Sequence, residues 1–585
     1  MPTRCPIALN HDPCALQTHL DMMTRHVDRT DETKAGAANF VEPDAADPRS
    51  GWVLHPAEAK ASPSATIKGK SEQVPLAMMD NQRDVVTFLS EPSAYGPTIE
   101  KVDIIETHVS LVFLAGDRAY KLKRAVKYPY LDFSTPQQRR RACEAELALN
   151  RRTAPALYLE IRALTRIADR SVGFAGAGPA IDWVVVMRRF AQPSLFDALA
   201  QTGGLSADLM HELAGHVADF HAKAERRYDF GGAAALSGVA KTNHRCLVDA
   251  QNAGLARERI EEIHANSLQQ LAAVGGLLDR RRMSGKVRRC HGDLHLRNIC
   301  LFEGKPTLFD CLEFSDALAS IDVLYDLAFL LMDLEHRGLT DFANIVLNRY
   351  LDLTDEDDGL AAMPLFLSLR AAIRAHVTAA AIDQTTHPEQ RSNMAAEAHR
   401  YLDLAARLLQ PQPRRLIAIG GLSGSGKSTL AAALAATIGA RVLRSDVTRK
   451  RLFGVAPETR LPAQAYAPEV SHRVYEALRR KAAATLAAGY SVIIDAVSLT
   501  PEERQSFAAA AKAASVPFSG LWLTAPASTM ETRLRARRRD ASDASPEVLT
   551  QQLRQDAGPI DWFIIDADSG PEACLAAARR ELVLG

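Results

Sequence analysis

Eight residues, Gly421-Leu-Ser-Gly-Ser-Gly-Lys-Ser428, constrain this chain more than any other stretch. They fit G-x-x-x-x-G-K-[ST] and stand between an apolar run, Leu416-Ile-Ala-Ile-Gly420, and a segment that reads as a helix from about Ser428. A strand, a glycine-rich turn and a helix N-terminus in that order crowd several backbone N–H groups around one point. The helix dipole favours an anion at the same place. The pattern predicts a phosphate cradle of Gly421, Leu422, Ser423, Gly424, Ser425, Gly426, Lys427, Ser428 and Thr429. Lys427 would reach the β- and γ-phosphates, and the Ser428 hydroxyl would hold Mg²⁺.

Around this motif, strands and helices alternate. Leu416–Gly420, Arg441–Arg444, Ser491–Asp495, Phe518–Thr524 and Trp562–Ile565 read as strands, which predicts an α/β domain over 414–585 with a parallel sheet covered on both faces. Val492-Ile-Ile-Asp495 ends a buried strand in an acid suited to orienting Mg²⁺. Asp446, at the end of the second strand, is placed either to accept the proton of an acceptor hydroxyl or to cap the next helix. Arg449 is a candidate for an anionic group on the acceptor. Arg533 and Arg537, four apart, are predicted on one helix face as a lid over the transferring phosphate. Residues 415–580 resemble the AAA-type small P-loop kinases, relatives of polynucleotide kinase and gluconate kinase. The resemblance implies ATP-dependent phosphorylation of a hydroxyl and leaves the acceptor open.

A second constellation lies upstream. His291-Gly-Asp293-Leu-His295-Leu-Arg-Asn298 sets an Asp and an Asn five residues apart, the spacing of a kinase catalytic loop. In such a loop the Asp takes the hydroxyl proton and the Asn holds Mg²⁺. The strand Thr307-Leu-Phe-Asp310 brings a further acid for the metal. The segment from 100 to 190 is strand-rich, and helices dominate from Ser206 to 409, so a bilobal α+β domain over 76–409 is expected, followed by a short break at 410–413. A lysine for the phosphates comes from Tyr120-Lys121-Leu-Lys123, with Lys123 preferred and Lys121 the alternative. Its glutamate partner is Glu146, or else Glu144. Met187-Arg-Arg-Phe190 is where an adenine-binding hinge would lie.

These residues resemble the aminoglycoside phosphotransferase family, which shares the protein-kinase-like fold with choline and homoserine kinases; the likeness is closest at His291–Asn298 and Asp310-Cys-Leu-Glu313. The resemblance implies a bilobal nucleotide-binding domain. The chain departs from the kinase pattern in having no G-x-G-x-x-G over the phosphates: Glu106-Thr-His-Val-Ser110 takes that turn, where Thr107, Ser110 and backbone N–H groups would substitute. As a whole, the order resembles a bacterial family of fused proteins described as bifunctional aminoglycoside phosphotransferase/ATP-binding proteins.

Composition narrows the remaining classes. The chain has 585 residues, too many for one core. Lys plus Arg and Asp plus Glu are equal at 70 each, which weighs against nucleic acid as the main partner. Eight cysteines are scattered without a C-x-x-C pair, arguing against zinc and disulfides and for a cytoplasmic setting. No uninterrupted apolar run is expected to span a membrane, the N-terminus shows no signal-peptide pattern, and residues 1–75 are expected to be disordered. Three function classes stand: two ATP·Mg²⁺ phosphotransfer sites acting on small-molecule hydroxyls, a P-loop kinase regulated by a nucleotide-sensing module, and a polynucleotide 5′-hydroxyl kinase.

Overall fold

The computed structural model describes residues 82–583 apart from 108, 129, 130, 168–170, 175, 177, 538 and 539, so the expectation for 1–75 lies outside the described residues. In the first lobe, Val102–Glu106 (β1), Ser110–Ala115 (β2) and Arg118–Lys123 (β3) form an antiparallel meander. Gly116, at φ +57°, turns the β2–β3 hairpin where a Cβ would sit 2.7 Å from Ile99. Tyr158–Arg166 (β4), Val172–Phe174 (β5) and Ala180–Arg188 (β6) complete the sheet in the order β1-β2-β3-β6-β4-β5. The sequence reading missed β4 because Glu160, Arg162 and Thr165 interrupt its apolar positions.

One helix, Pro136–Asn150, packs across this sheet. Thr135 caps it with a full capping box to Gln138, which removes two orphan N–H groups. Arg139 then pins it to β6 through a buried bidentate pair with Asp182, at 2.8 and 2.9 Å. This fixes Glu146 two turns on, fully buried beneath β3, while Glu144 pairs with Arg140 on the outer face.

The second lobe is helical around a core built by Val323–His336, Met363–Ala381 and their neighbours. One stretch there, Glu356–Ala381, is long and apolar enough to cross a membrane by length and composition, although Arg370 and Arg374 interrupt it. Its most apolar window is 72% buried inside the domain, as a core helix would be. Ile299–Phe302 (β7) and Lys305–Leu308 (β8) form a hairpin, and Asp310 follows two residues after its end rather than on the strand.

Beyond Pro411 the chain enters the α/β domain. Leu416–Gly421 (β9), Arg441–Arg444 (β10), Val492–Asp495 (β11), Phe518–Thr524 (β12) and Phe563–Asp566 (β13) form an all-parallel sheet in the order β10-β11-β9-β12-β13. β9 is buried along its whole length, with helices on both faces. Its central position and that of β11 beside it bring Ser428 and Asp495 together.

Candidate functional site

The catalytic-loop residues are held from behind. Asp326, fully buried, accepts from the main-chain N–H of His291 at 3.1 Å and of Gly292 at 2.9 Å, and contacts His221 Nε2 at 3.0 Å. His221, Cys290 and Asp326 place ligand atoms within 4.8 Å of one another. Tyr350, Asp326 and these loop amides occupy the His221 and Asp326 atoms, so the trio acts as a scaffold. Gly292 has φ +85°, and a Cβ there would meet Ala319 and Leu312 at 3.0 and 3.1 Å, which makes glycine the residue that fits the bend.

From this scaffold Asn298 Nδ2 donates to Asp293 Oδ2 at 2.9 Å, and also to its carbonyl. His295 Nε2 stands 3.4 Å from the same carboxylate. Across the cleft, Lys121 Nζ reaches Asp310 Oδ1 at 2.7 Å and Glu146 Oε1 at 2.8 Å. Burial disfavours the Lys121 charge, yet Asp310 and Glu146 outweigh it and hold its pKa well above the usual lysine value. Lys123, the lysine preferred from sequence, lies deeper, 1% exposed, between Glu146 and Glu313. The structure therefore exchanges the two lysines: Lys121 is the one that spans from the helix glutamate to the metal-suited acid. The pleat puts both on one face, and only the approach of the second lobe separates them.

These groups line a cleft between the lobes. Met187, Arg188, Arg189 and Phe190, and Thr107 and Ser110, line it from the first lobe together with Lys121, and Asp293, Asn298 and Asp310 from the second. The Thr107–Ser110 turn closes on itself: Ser110 N–H donates to Thr107 Oγ1 at 3.0 Å, and that hydroxyl donates to Ser110 O at 2.9 Å.

In the α/β domain, Gly421, Gly424 and Gly426 have φ of +131°, +85° and +99°, conformations open to glycine. Ser428 Oγ donates to Asp495 Oδ2 at 2.6 Å, and Lys427 Nζ turns back to Leu422 O at 2.9 Å. Burial depresses the Lys427 pKa. Leu422, Ser423 and Thr429 complete the loop, with Ser423 N–H donating to Gln552 at 2.9 Å. Asp446 faces this centre. Burial raises its pKa, with Arg444 opposing and Asp495 adding to the rise.

Arg533 reaches Ala567 O at 2.8 Å and Ser425 O at 3.4 Å, so it does sit on the loop. Arg537 also lines the phosphate pocket, but the helix ends at Ala536 and Arg537 is extended, which corrects the expectation of one helix face. Arg449 is corrected as well. It is buried, donates to Ala465 O at 2.7 Å and stacks on Tyr466 at 4.7 Å, so it ties down the 463–471 segment instead of lining an acceptor site.

Comparison with known proteins agrees with this two-part construction. Residues 135–365 match the family model described as phosphotransferase enzyme family, and residues 416–559 match the one described as AAA domain. The uncharacterized protein Rv2004c of Mycobacterium tuberculosis is 32% identical over 492 residues, which is 82% of this chain and 94% of that protein. The chain belongs to its family. Among solved structures, a choline/ethanolamine kinase family protein from Mesorhizobium loti is 14% identical and covers 56% of this chain and 100% of its own, at a TM-score of 0.34. A gluconokinase from Sinorhizobium meliloti is 19% identical and covers 30% of this chain and 94% of its own, at a TM-score of 0.22.

In this chain of two kinase-type modules, sequence reasoning overlooked Arg444. It lies 3.3 Å from Asp495, 2.6 Å from Asp540 and 3.3 Å from Ser428 Oγ, so it bridges the metal-suited pair and Asp540 beside the phosphate loop. A charged residue at the carboxyl end of a parallel strand is the signal that points to it, since sites in open α/β sheets gather there. Glu313, which holds Lys123, was likewise visible only as part of a motif.

Proposed function

We propose that both domains are ATP·Mg²⁺-dependent phosphotransferases acting on hydroxyl groups of small molecules in a cytoplasmic setting. One observation carries this for the first domain. Asp293 lines both the inter-lobe cleft and a second cavity in the helical lobe, so the base stands where the two meet, the cleft taking the nucleotide and the cavity the acceptor in this reading.

The step follows from that placement. The acceptor oxygen approaches the γ-phosphorus from the Asp293 side, and its proton passes to the Asp293 carboxylate as the new P–O bond forms. The bond to the β-phosphate oxygen breaks, and ADP leaves toward the hinge at Met187. Lys121, held by Glu146, binds the phosphates, and Asn298 orients Asp293. In the second domain the P-loop amides, Lys427, Arg533, Arg537 and Arg444 surround the phosphates, and Asp446 is the base. The donor sets fit Mg²⁺, being hard oxygens: Asp310 with Asn298 Oδ1, and the Ser428 hydroxyl with Asp495, already 2.6 Å apart. When bound, the ion supplies charge neutralisation for the phosphate oxygens.

The test is label transfer from γ-labelled ATP to a panel of hydroxyl metabolites by the full chain, by Asp293→Ala, by Lys427→Ala and by the double variant. Each single variant is expected to lose one set of products, and the double variant both. Unchanged products in Asp293→Ala would make the first domain a regulator of the second.

A further inference from the structure

The cavity behind Asp293 contains polar atoms that the fold leaves unused. Arg370, on the core helix Met363–Ala381, is only 5% exposed. Its guanidinium is clamped at 4.0 Å over the Tyr325 ring and 4.6 Å over the Phe329 ring, and its Nε donates to Tyr325 O at 3.2 Å. Its Nη2 has no hydrogen-bond partner among the described residues. The same holds for the Tyr325 hydroxyl, 3% exposed, and for the Ser320 hydroxyl, fully buried. All three residues line the one cavity that Asp293 also lines. Buried donors left unpaired are rare, because each gives up its water without return. Three converging on one cavity describe a site built for something that accepts hydrogen bonds.

Charge identifies that something. Arg370 and Arg374 both face the cavity. Of the carboxylates in its wall, Asp322 is taken up on both oxygens by Arg281, at 2.8 and 2.9 Å, and Asp293 is the base itself. Asp326, behind the wall, is spent on His221 and the loop amides. The remainder is apolar, with Leu236, Val239, Leu318 and Ile373 among the lining groups. A polycation would meet arginine and hydrocarbon here.

We propose that the acceptor of the first domain is an anionic hydroxyl compound with an apolar body, a carboxylate or a phosphate monoester. Its anion is bound by Arg370 Nη2 with the Tyr325 and Ser320 hydroxyls, while its hydroxyl is presented to Asp293. This rests on the reading of Asp293 as the base and extends it to substrate class. A preformed, stacked guanidinium with a free edge suits a planar or tetrahedral oxyanion.

The test separates binding from transfer. Calorimetry on the full chain would compare straight-chain ω-hydroxy carboxylates of graded length, the phosphate monoesters of the matching diols, the neutral diols and the ω-amino alcohols. The anionic probes are expected to bind at least ~10-fold tighter than the diols, about the worth of one charge-assisted hydrogen bond, and the amino alcohols weakest of all. The better of the two anionic series names the head group. Arg370→Gln should bring the anion-to-diol ratio to about one, and Arg370→Lys should restore part of it. Tyr325→Phe should lower the ratio a few-fold. If R370Q does not fold, by its circular dichroism and unfolding midpoint, the charge series on the wild-type chain and Y325F decide alone. Diols or amino alcohols binding as well as the anions, or a ratio untouched by these changes, overturns the proposal. Anion preference without any phosphoryl transfer would instead overturn the catalytic reading and leave the binding site standing.

Discussion

Arg441 Nη1 lies 2.7 Å from Asp352 Oδ1, so the first residue of β10 in the P-loop domain is held by the domain before it. The same guanidinium reaches Asp357 at 2.7 Å, and Asn348 and Asn344 take up the β10 backbone beside it through Val442 N–H and Ala440 O. Arg451 and Lys481 add contacts to Asp355. Three residues further along β10, Arg444 pairs with Asp495 and Asp540 beside the phosphate loop. The strand that carries Asp446 to its position is thus braced from outside its own domain.

Arg441→Ala removes the cation between two carboxylates that are 15% and 12% exposed, leaving Asp352 without its ion pair while Asp357 keeps Lys481 at 3.3 Å. Breaking one partner of such a buried pair costs about 3 kcal/mol or more. Chemical denaturation should therefore show a lower midpoint and a P-loop domain that unfolds separately from its neighbour. An unaltered single transition would mean the junction adds no stability.

Lys121 and Lys123 should respond differently to replacement. In a Lys427→Ala background, where only the first domain binds nucleotide, Lys121→Met is expected to weaken Mg·ATP binding about tenfold, the loss of one charge-assisted contact. Lys123→Met strands the Glu313 carboxylate and takes from buried Glu146 one of its two lysines, and should lower the unfolding midpoint more than the affinity. Titration calorimetry paired with thermal unfolding distinguishes the two; the reverse pattern would restore Lys123 as the phosphate ligand.

Chelation with EDTA should abolish transfer by both domains. In an Asp293→Ala background, Asp495→Asn should raise the Mg²⁺ concentration for half-maximal rate by about 10- to 100-fold, since the Ser428–Asp495 pair loses a charged oxygen. A rate that stays unchanged as Mg²⁺ is varied would remove Asp495 from the metal site.

Burial lifts the Asp446 pKa, with Asp495 adding to it against Arg444. A base works only when unprotonated, so the rate of the second domain falls as pH drops through that raised value. The acid limb of its pH–rate profile should then lie above the ~3.9 of an ordinary aspartate. The linked stability has the opposite sense: a raised carboxyl pKa stabilises the fold at low pH and ceases to do so as pH rises through the folded value. Asp446→Asn should erase both the limb and most of the rate. If the variant keeps its rate, Asp446 is not the base; the helix-cap alternative is closed already, since Arg444 holds the N-cap position and the helix has no side-chain cap hydrogen bond.

Several site elements were legible because they are local in the chain. The loop from Gly421 to Ser428 is read from spacing, since its chemistry comes from backbone amides in a turn whose conformation glycine dictates. Asp293 and Asn298 are likewise five residues apart on one loop, and their hydrogen bond needs no distant partner. Arg449 misled because a cation after an acid has the same pattern whether it meets solvent or, as here, the carbonyl of Ala465. Arg537 misled because spacing four implies a shared face only while the helix lasts, and this one ends at Ala536.

Sequence by itself determined the two fold classes, the phosphate loop and the catalytic-loop pair, because periodicity, glycine conformation and short spacings act within one segment. Tertiary structure alone decided that Lys121 rather than Lys123 meets Asp310, that Arg444 pairs with Asp495, and that Arg370, Tyr325 and Ser320 share a cavity with Asp293. Those pairings join residues from different strands, helices and lobes. Their distances are set by how buried surfaces pack against each other, which no local pattern encodes.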